Sequence, residues 1–212
     1  MALIPKISID ERYPEESETN RADGPYQDFY EVLASVFDMS EVRSIADVGC
    51  SDGNLIKIIH DKNPGIEVTG IEYFEYHKKY ADPKIVDKIK ILDIRDPLPG
   101  DLSDKKFDIV VCTEVGEHID PAYTTAFLEN IKSLVGKYLI MTWSRHGGEK
   151  ESHKDPLHQH LNPLEFQDFM KVMSDHGFQC DQNLTIKSHH FMGPKQSFYF
   201  WWKESFTVWQ KK

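Results

Sequence analysis

Cysteine is scarce in this chain. Only Cys50, Cys112 and Cys180 occur in 212 residues, an odd number at wide spacing. Neither a disulfide framework nor the paired spacing of a zinc site can be built from them, so a reducing, cytoplasmic setting is expected. Long apolar runs are also missing. No stretch reaches the ~18 consecutive apolar residues of a membrane span. The start MALIPKISIDERYPEES has no basic segment followed by a long apolar core, so neither membrane insertion nor export is expected. Positive charge is short as well: 25 Lys and Arg stand against 35 Asp and Glu, a net charge of −10, and no basic run appears. A long nucleic acid is thereby disfavoured as a partner, because neutralising phosphates needs a basic stripe. Internal repeats and low-complexity segments are absent too. What the chain does have is 40% hydrophobic and 12% aromatic residues, ample for one core of α/β type.

Residues 1–25 read as an arm or lid, dense in acids between Glu11 and Glu18 and without a sustained period. Two readings stay open for it: a flap closing over bound ligands, with Tyr13 and Arg21 as the residues to watch, or a solubilising tail. Residues 26–212 form the domain. Phe29, Val32, Leu33, Val36 and Phe37 recur at helical spacing, predicting a helix over Tyr26 to Asp38. Strand-length apolar runs then alternate with helical segments, at 44–48, 67–72, 88–92, 107–113 and 137–143. That alternation predicts βαβ units and a mostly parallel sheet. Helices are predicted over Asn54 to Asp61, from Asp120-Pro121 to Val135, and over Pro163 to His176 with Gly177 as the stop. TIKS at 185–188 and SFTVWQK at 205–211 are expected to be two late strands closing the sheet.

The first strand runs into Asp47-Val48-Gly49-Cys50-Ser51-Asp52-Gly53 and then a helix. A glycine-bearing turn lets a ligand approach the backbone, and the helix start offers free N–H groups. Glu72 ends the second strand, where a carboxylate can accept both hydroxyls of a ribose, and Asp93 closes the third, where it can accept the exocyclic amine of adenine. A small adenosine compound fits this set. A dinucleotide fits less well, since the third glycine of its fingerprint is replaced by Asn54.

With these three elements in order, the chain resembles the class I S-adenosylmethionine (SAM)-dependent methyltransferases over about residues 26–210. It departs from their glycine pattern in placing Ser51 at the middle position. The resemblance implies a single Rossmann-like domain with a seven-stranded, mostly parallel, twisted sheet and helices on both faces. It also implies a SAM site with Asp47, Gly49, Cys50, Ser51 and Gly53 on the turn, Glu72 with Tyr73, Asp93 with Ile94, and Glu114.

Strand four leads into Glu114-Val115-Gly116-Glu117-His118. If these residues form one helical turn, Glu114, Glu117 and His118 share a face, a donor set suited to Mg²⁺ or Mn²⁺. The competing reading is a metal-free polar pocket in which a histidine is the base. The E-x-x-E-H string resembles that of small-RNA 2′-O-methyltransferases and ubiquinone-pathway O-methyltransferases, which implies metal ligation by the glutamates and the histidine, joined by a later histidine. Four candidates lie in the loop after strand five, His146, His153, His158 and His160. His160 is the first choice because it directly precedes the Leu-Asn-Pro start of the next helix, and His158 is the second. His118 or His158 is the expected proton acceptor. His189 and His190 are read as structural or exposed, and the aromatic run Phe198 to Trp209 as strand core. Trp143, at the end of strand five, is expected to wall the acceptor pocket.

The resulting expectation is a SAM-dependent O-methyltransferase acting on a hydroxyl of a small polar molecule, with a sugar or glycan hydroxyl as the leading acceptor. A phenol, quinol or amine methyltransferase without metal, and a catalytically silent SAM-binding module, stand as alternatives.

Overall fold

A computed structural model describes residues 24–145, 160–193 and 205–212. The acidic arm, the loop histidines His146, His153 and His158, and Phe198 to Trp202 lie outside the described residues. The chain order is α1 (Gly24–Val36), β1 (Ser44–Val48), α2 (Asn54–Lys62), β2 (Glu67–Glu72), β3 (Ile89–Ile91), α3 (Gly100–Ser103), β4 (Phe107–Cys112), α4 (Thr124–Leu134), β5 (Val135–Met141), α5 (Phe166–Asp175), β6 (Phe178–Cys180), α6 (Gln182–Met192) and β7 (Thr207–Lys211).

The seven strands form one sheet in the order β3-β2-β1-β4-β5-β7-β6. The first five are mutually parallel, while β7 runs antiparallel to both β5 and β6. The α/β class, the single sheet and its mostly parallel sense are as the alternating pattern implies. Strands β1 and β4, buried on both faces, read as nearly continuous apolar runs, the mark of a sheet covered on two sides.

Each face has its own core. On one, Phe29, Val32, Leu33 and Val36 of α1 pack with Leu55, Ile56 and Ile59 of α2 and Met192 of α6. On the other, Phe127, Leu128, Ile131 and Leu134 of α4 pack with Phe169 and Met173 of α5. These are the i, i+3, i+4, i+7 stripes that the helical periods present. Among the described residues no helix is long and apolar enough to cross a membrane.

The two late strands need correction. Residues 185–188 are not a strand but the middle of α6, and β7 is partnered by Phe178–Cys180, a segment too short to stand out by alternation. The helix wins because Asp181 caps it, its Oδ1 accepting from the Leu184 N–H at 3.0 Å, and because Ser188 donates to the Leu184 carbonyl at 2.8 Å. Elsewhere the stop and start signals work. Asp120 Oδ1 accepts from the Ala122 N–H at 2.8 Å ahead of α4, and Gly177 takes φ +81° directly after α5.

The sheet order places the functional edge. From β1 the chain moves outward to β2 and β3, then returns to β4 on the other side of β1. The connections leaving β1 and β4 therefore diverge to opposite sides, opening a crevice at their carboxyl ends.

Candidate functional site

The turn after β1 has three left-handed residues in five: Gly49 at φ +78°, Ser51 at +52° and Gly53 at +82°. The Gly49 and Cys50 N–H groups both donate to the Ile71 carbonyl, at 2.8 and 3.2 Å, which folds the turn over the end of β2. A Cβ on Gly49 would collide with Val115, so the turn after β1 and the turn after β4 touch because Gly49 has no side chain. Cys50 points the other way: its sulfur lies under Gly70 and its side chain is buried in the core, so only its backbone faces the crevice.

Glu72 is buried and densely hydrogen-bonded. Its Oε2 accepts from the Ser51 N–H at 2.8 Å, and its Oε1 accepts from the N–H groups of Tyr73 and Phe74, both at 2.9 Å. Three of the roughly four acceptor positions of a carboxylate are filled, leaving one, on Oε2, for a ligand. Behind it Asp47 is also buried, and its carboxyl is pushed up to about 7, first by loss of solvent and then by the Glu72 charge. Among the described residues no basic side chain bonds either of these two buried carboxyls, which makes this crevice attractive to a cationic group.

Asp93 meets a partner that spacing did not reveal. Oδ1 accepts from the Arg95 N–H at 2.9 Å and from Nε at 2.8 Å, while Oδ2 accepts from Nη2 at 2.6 Å. The guanidinium lies 5.7 Å from the Tyr73 ring centre and 5.4 Å from that of Tyr123, and the Asp93 carboxylate holds its pKa above the ordinary arginine value. Ile94 is buried, and its carbonyl accepts from Asn130 Nδ2 at 2.8 Å, so neither its side chain nor its carbonyl is free toward the crevice.

The turn after β4 departs from the expected single helical turn. Glu114 is left-handed, at φ +56°, and the tight turn spans only Gly116–His118. Thr142, at the end of β5, clasps Glu114 from both sides: its Oγ1 accepts from the Glu114 N–H at 2.9 Å and donates to Oε1 at 2.8 Å. Glu114 is therefore absent from the group of ligating atoms that the structure brings together, namely one atom each from Glu117, His118 and His160, all within 4.8 Å of one another. The His118 and His160 rings meet edge to face, 4.9 Å between centres.

Glu117 is 0% exposed, and its two carboxylate oxygens are buried with no well-formed hydrogen bond among the described residues, the Glu114 carboxyl and the Glu117 and Ser144 backbones being their polar neighbours. Burial first, and the Glu114 charge second, push its carboxyl well above the usual carboxylate range. An orphaned buried carboxyl flanked by two imidazoles fits a cation, which would supply the missing partner.

Asn162 fixes His160 in this group. Its N–H donates to the Glu117 carbonyl at 2.9 Å, its carbonyl accepts from Trp143 Nε1 at 2.6 Å, and its Nδ2 donates to Thr124 Oγ1 at 3.0 Å. Trp143 itself is not a pocket wall. It is 1% exposed, with its ring against Gly116, Phe127 and Phe169, because the Gly116 backbone leaves a slot that the indole fills. Asn162, Thr142 and Arg95 are the contributors that spacing alone missed. Only Asn162 carried a local signal, its place two residues after His160. Of the later histidines, His189 bonds the Phe206 carbonyl at 2.8 Å and His190 is exposed, while Phe206 and Trp209 are core as expected.

Residues 46–137, which hold the glycine turn, Glu72, Asp93 and the turn after β4, match the family model described as a methyltransferase domain. Over these residues the chain carries a methyltransferase domain. No curated protein matches it in sequence. Solved structures similar to it include the plantazolicin methyltransferase BpumL in complex with SAH, at 16% identity, covering 89% of this chain and 84% of that one, TM-score 0.60. Magnesium protoporphyrin IX methyltransferase (ChlM) from Synechocystis PCC 6803 with bound SAM is similar at 17% identity, 89% and 80% coverage, TM-score 0.59. The O-methyltransferase of a trans-AT PKS multienzyme of Brevibacillus brevis, in complex with S-adenosyl-L-homocysteine, is similar at 15% identity, 87% and 70% coverage, TM-score 0.58. At these identities the likeness is one of fold, and the chain shares with all three the Rossmann-like α/β architecture.

Proposed function

We propose that the methyltransferase domain binds SAM at the crevice between β1 and β4 and transfers its methyl group to a hydroxyl of a small polar acceptor. One observation carries this reading: the glycine turn pinned on Glu72 opens at the same sheet edge as Glu117, His118 and His160. SAM supplies, when bound, a methyl carbon made electrophilic by a neighbouring sulfonium. Glu72 offers its remaining lone pair to a ribose hydroxyl, and Asp47 offers negative charge to the cationic amino-acid end. Asp93 is the adenine partner, available to the exocyclic amine when Arg95 yields part of its clasp. Tyr73 follows Glu72 along the nucleoside edge.

Glu117, His118 and His160 would hold a Mg²⁺ or Mn²⁺ ion, and such an ion would lower the pKa of an acceptor hydroxyl. Without an ion, His118 or His158 would take the hydroxyl proton. The convergence of a buried Glu117 carboxyl with two imidazoles, one ligating atom each within 4.8 Å of the others, supports the ion-bound reading. Glu114 acts through Thr142 to set the entry of the turn. A sugar hydroxyl is kept as the leading acceptor on the chelating power of vicinal hydroxyls alone, because Trp143 is buried and cannot stack on it. The Brevibacillus structure, an O-methyltransferase by name, supports oxygen as the acceptor atom.

The test has two stages. Titration calorimetry with SAM should give binding that Glu72→Ala weakens at least tenfold, by loss of a charge-assisted hydrogen bond of about 1.5–3 kcal/mol. Methyl release is then measured against sugars, phenols, quinols and amines, with and without a chelator. Turnover of a hydroxyl substrate that falls on chelation, returns with Mn²⁺ and is lost in Glu117→Ala agrees with the proposal. Full turnover after chelation would remove the metal, and SAM binding without transfer to any acceptor would indicate a silent module.

A further inference from the structure

Ser51 stands where a glycine would relieve the backbone. At φ +52° an L-residue with a Cβ is strained, as the left-handed region disfavours any side chain. Its main chain is held by Glu72, through the N–H to Oε2 bond of 2.8 Å. Its side chain is held separately: Ser51 Oγ and His77 Nδ1 lie 3.1 Å apart.

His77 belongs to the tight helical turn Glu75–Tyr80 that follows β2, and it is 7% exposed. Its ring packs against Phe74 at 5.8 Å and Tyr76 at 5.0 Å between centres, so its position is set by aromatic neighbours. The stretch 72–77 thus grips the glycine turn at two points on one residue, with a carboxylate on the main chain and an imidazole on the side chain.

We infer that His77 is a positioning residue of the SAM pocket, holding Ser51 Oγ so that the left-handed turn presents its backbone to the nucleoside. The inference rests on the proposed SAM site and adds to it a residue with no place in the glycine, ribose or adenine elements. His77 touches no ligand in this role. It acts through Ser51, and its effect therefore has to vanish when the hydroxyl is absent.

A double-mutant cycle on SAM affinity reads this directly. His77→Phe keeps the ring volume and removes Nδ1, and it should weaken SAM about fivefold, the effect of one neutral hydrogen bond. In the Ser51→Gly background, where neither hydroxyl nor backbone strain remains, His77→Phe should change affinity less than twofold. His77→Asn, whose side-chain oxygen takes the place of Nδ1, should restore most of the loss in the Ser51 chain. Unfolding midpoints of all variants separate a folding defect from a pocket effect. Equal losses in both backgrounds, or no loss in either, with SAM still bound by the unsubstituted chain, would overturn the role of His77 alone. Failure of the unsubstituted chain to bind SAM would overturn the SAM site and this role with it.

Discussion

Replacing Asp47 by Asn should make the protein more stable and less able to bind a cationic ligand, and both effects should depend on pH. Asp47 closes β1 with 6% of its surface exposed, and its carboxyl titrates at about 7 in the folded chain, raised from 3.8 by burial and then by Glu72. A folded state that binds the proton more tightly than the unfolded one gains stability below pH 4 and loses it as pH rises through 7. The difference between about 7 and 3.8 corresponds, at 1.36 kcal/mol per pH unit, to about 4 kcal/mol held against the fold at pH 8. An asparagine is never charged, so urea denaturation should show Asp47→Asn more stable by about 2–4 kcal/mol at pH 8, the lower figure allowing for an imperfectly bonded amide, with the gain fading toward pH 4. Binding reports the same carboxyl from the other side. A cationic group next to Asp47 lowers its pKa and expels the proton, so SAM titrations near pH 6 in buffers of different ionisation enthalpy should reveal proton release, and affinity should rise with pH up to about 7. Asp47→Asn should abolish both. A stability gain independent of pH, or SAM binding without proton release, would refute the assignment of strain and function to this one buried carboxyl.

Two further outcomes are open to measurement. Gly116→Ala would bring a methyl group to 2.5 Å from the buried Trp143 ring, with no free space to absorb it. It should cost about 2 kcal/mol and lower the melting temperature by about 4–8 °C, with loss of Mn²⁺ binding because Glu117 and His118 move with the turn. An unchanged melting temperature would show that the indole slot is not tight. Arg95→Ala removes the bonds that Nε and Nη2 make to the Asp93 oxygens. If Arg95 competes with adenine for that carboxylate, SAM should bind about three- to tenfold more tightly in the variant, whereas weaker binding would make Arg95 a partner of the nucleoside.

The crevice owes its location to features that are local along the chain. Glycines at 49 and 53, an acid closing each of the next two strands, and apolar runs alternating between strand and helical periods all act within a few residues of themselves, so they are legible in order. The helix α4 with its Asp120-Pro121 start and the stop at Gly177 belong to the same class, since caps and left-handed glycines are decided by their immediate neighbours. The 185–188 segment escaped because its choice between strand and helix depended on which other segment would pair with β7, a contact between distant parts of the chain.

Side-chain company was beyond the sequence for the same reason. Asp93 and Arg95 are two residues apart, and nothing in that spacing says that the guanidinium folds back onto the carboxylate beside Tyr73 and Tyr123. Helical spacing placed Glu114 with Glu117 and His118, but Thr142, at the end of a different strand, holds Glu114 in a left-handed conformation that no helical turn contains. His160 joins the group beside Asn162, whose N–H bonds the Glu117 carbonyl, a contact between segments more than 40 residues apart. Residue type and period along the chain thus set which chemistry is on hand and at which sheet edge it gathers. Which of those groups touch, which are buried without partners and which are strained was decided by packing across the sheet, where desolvation and distant hydrogen bonds outweigh local preference.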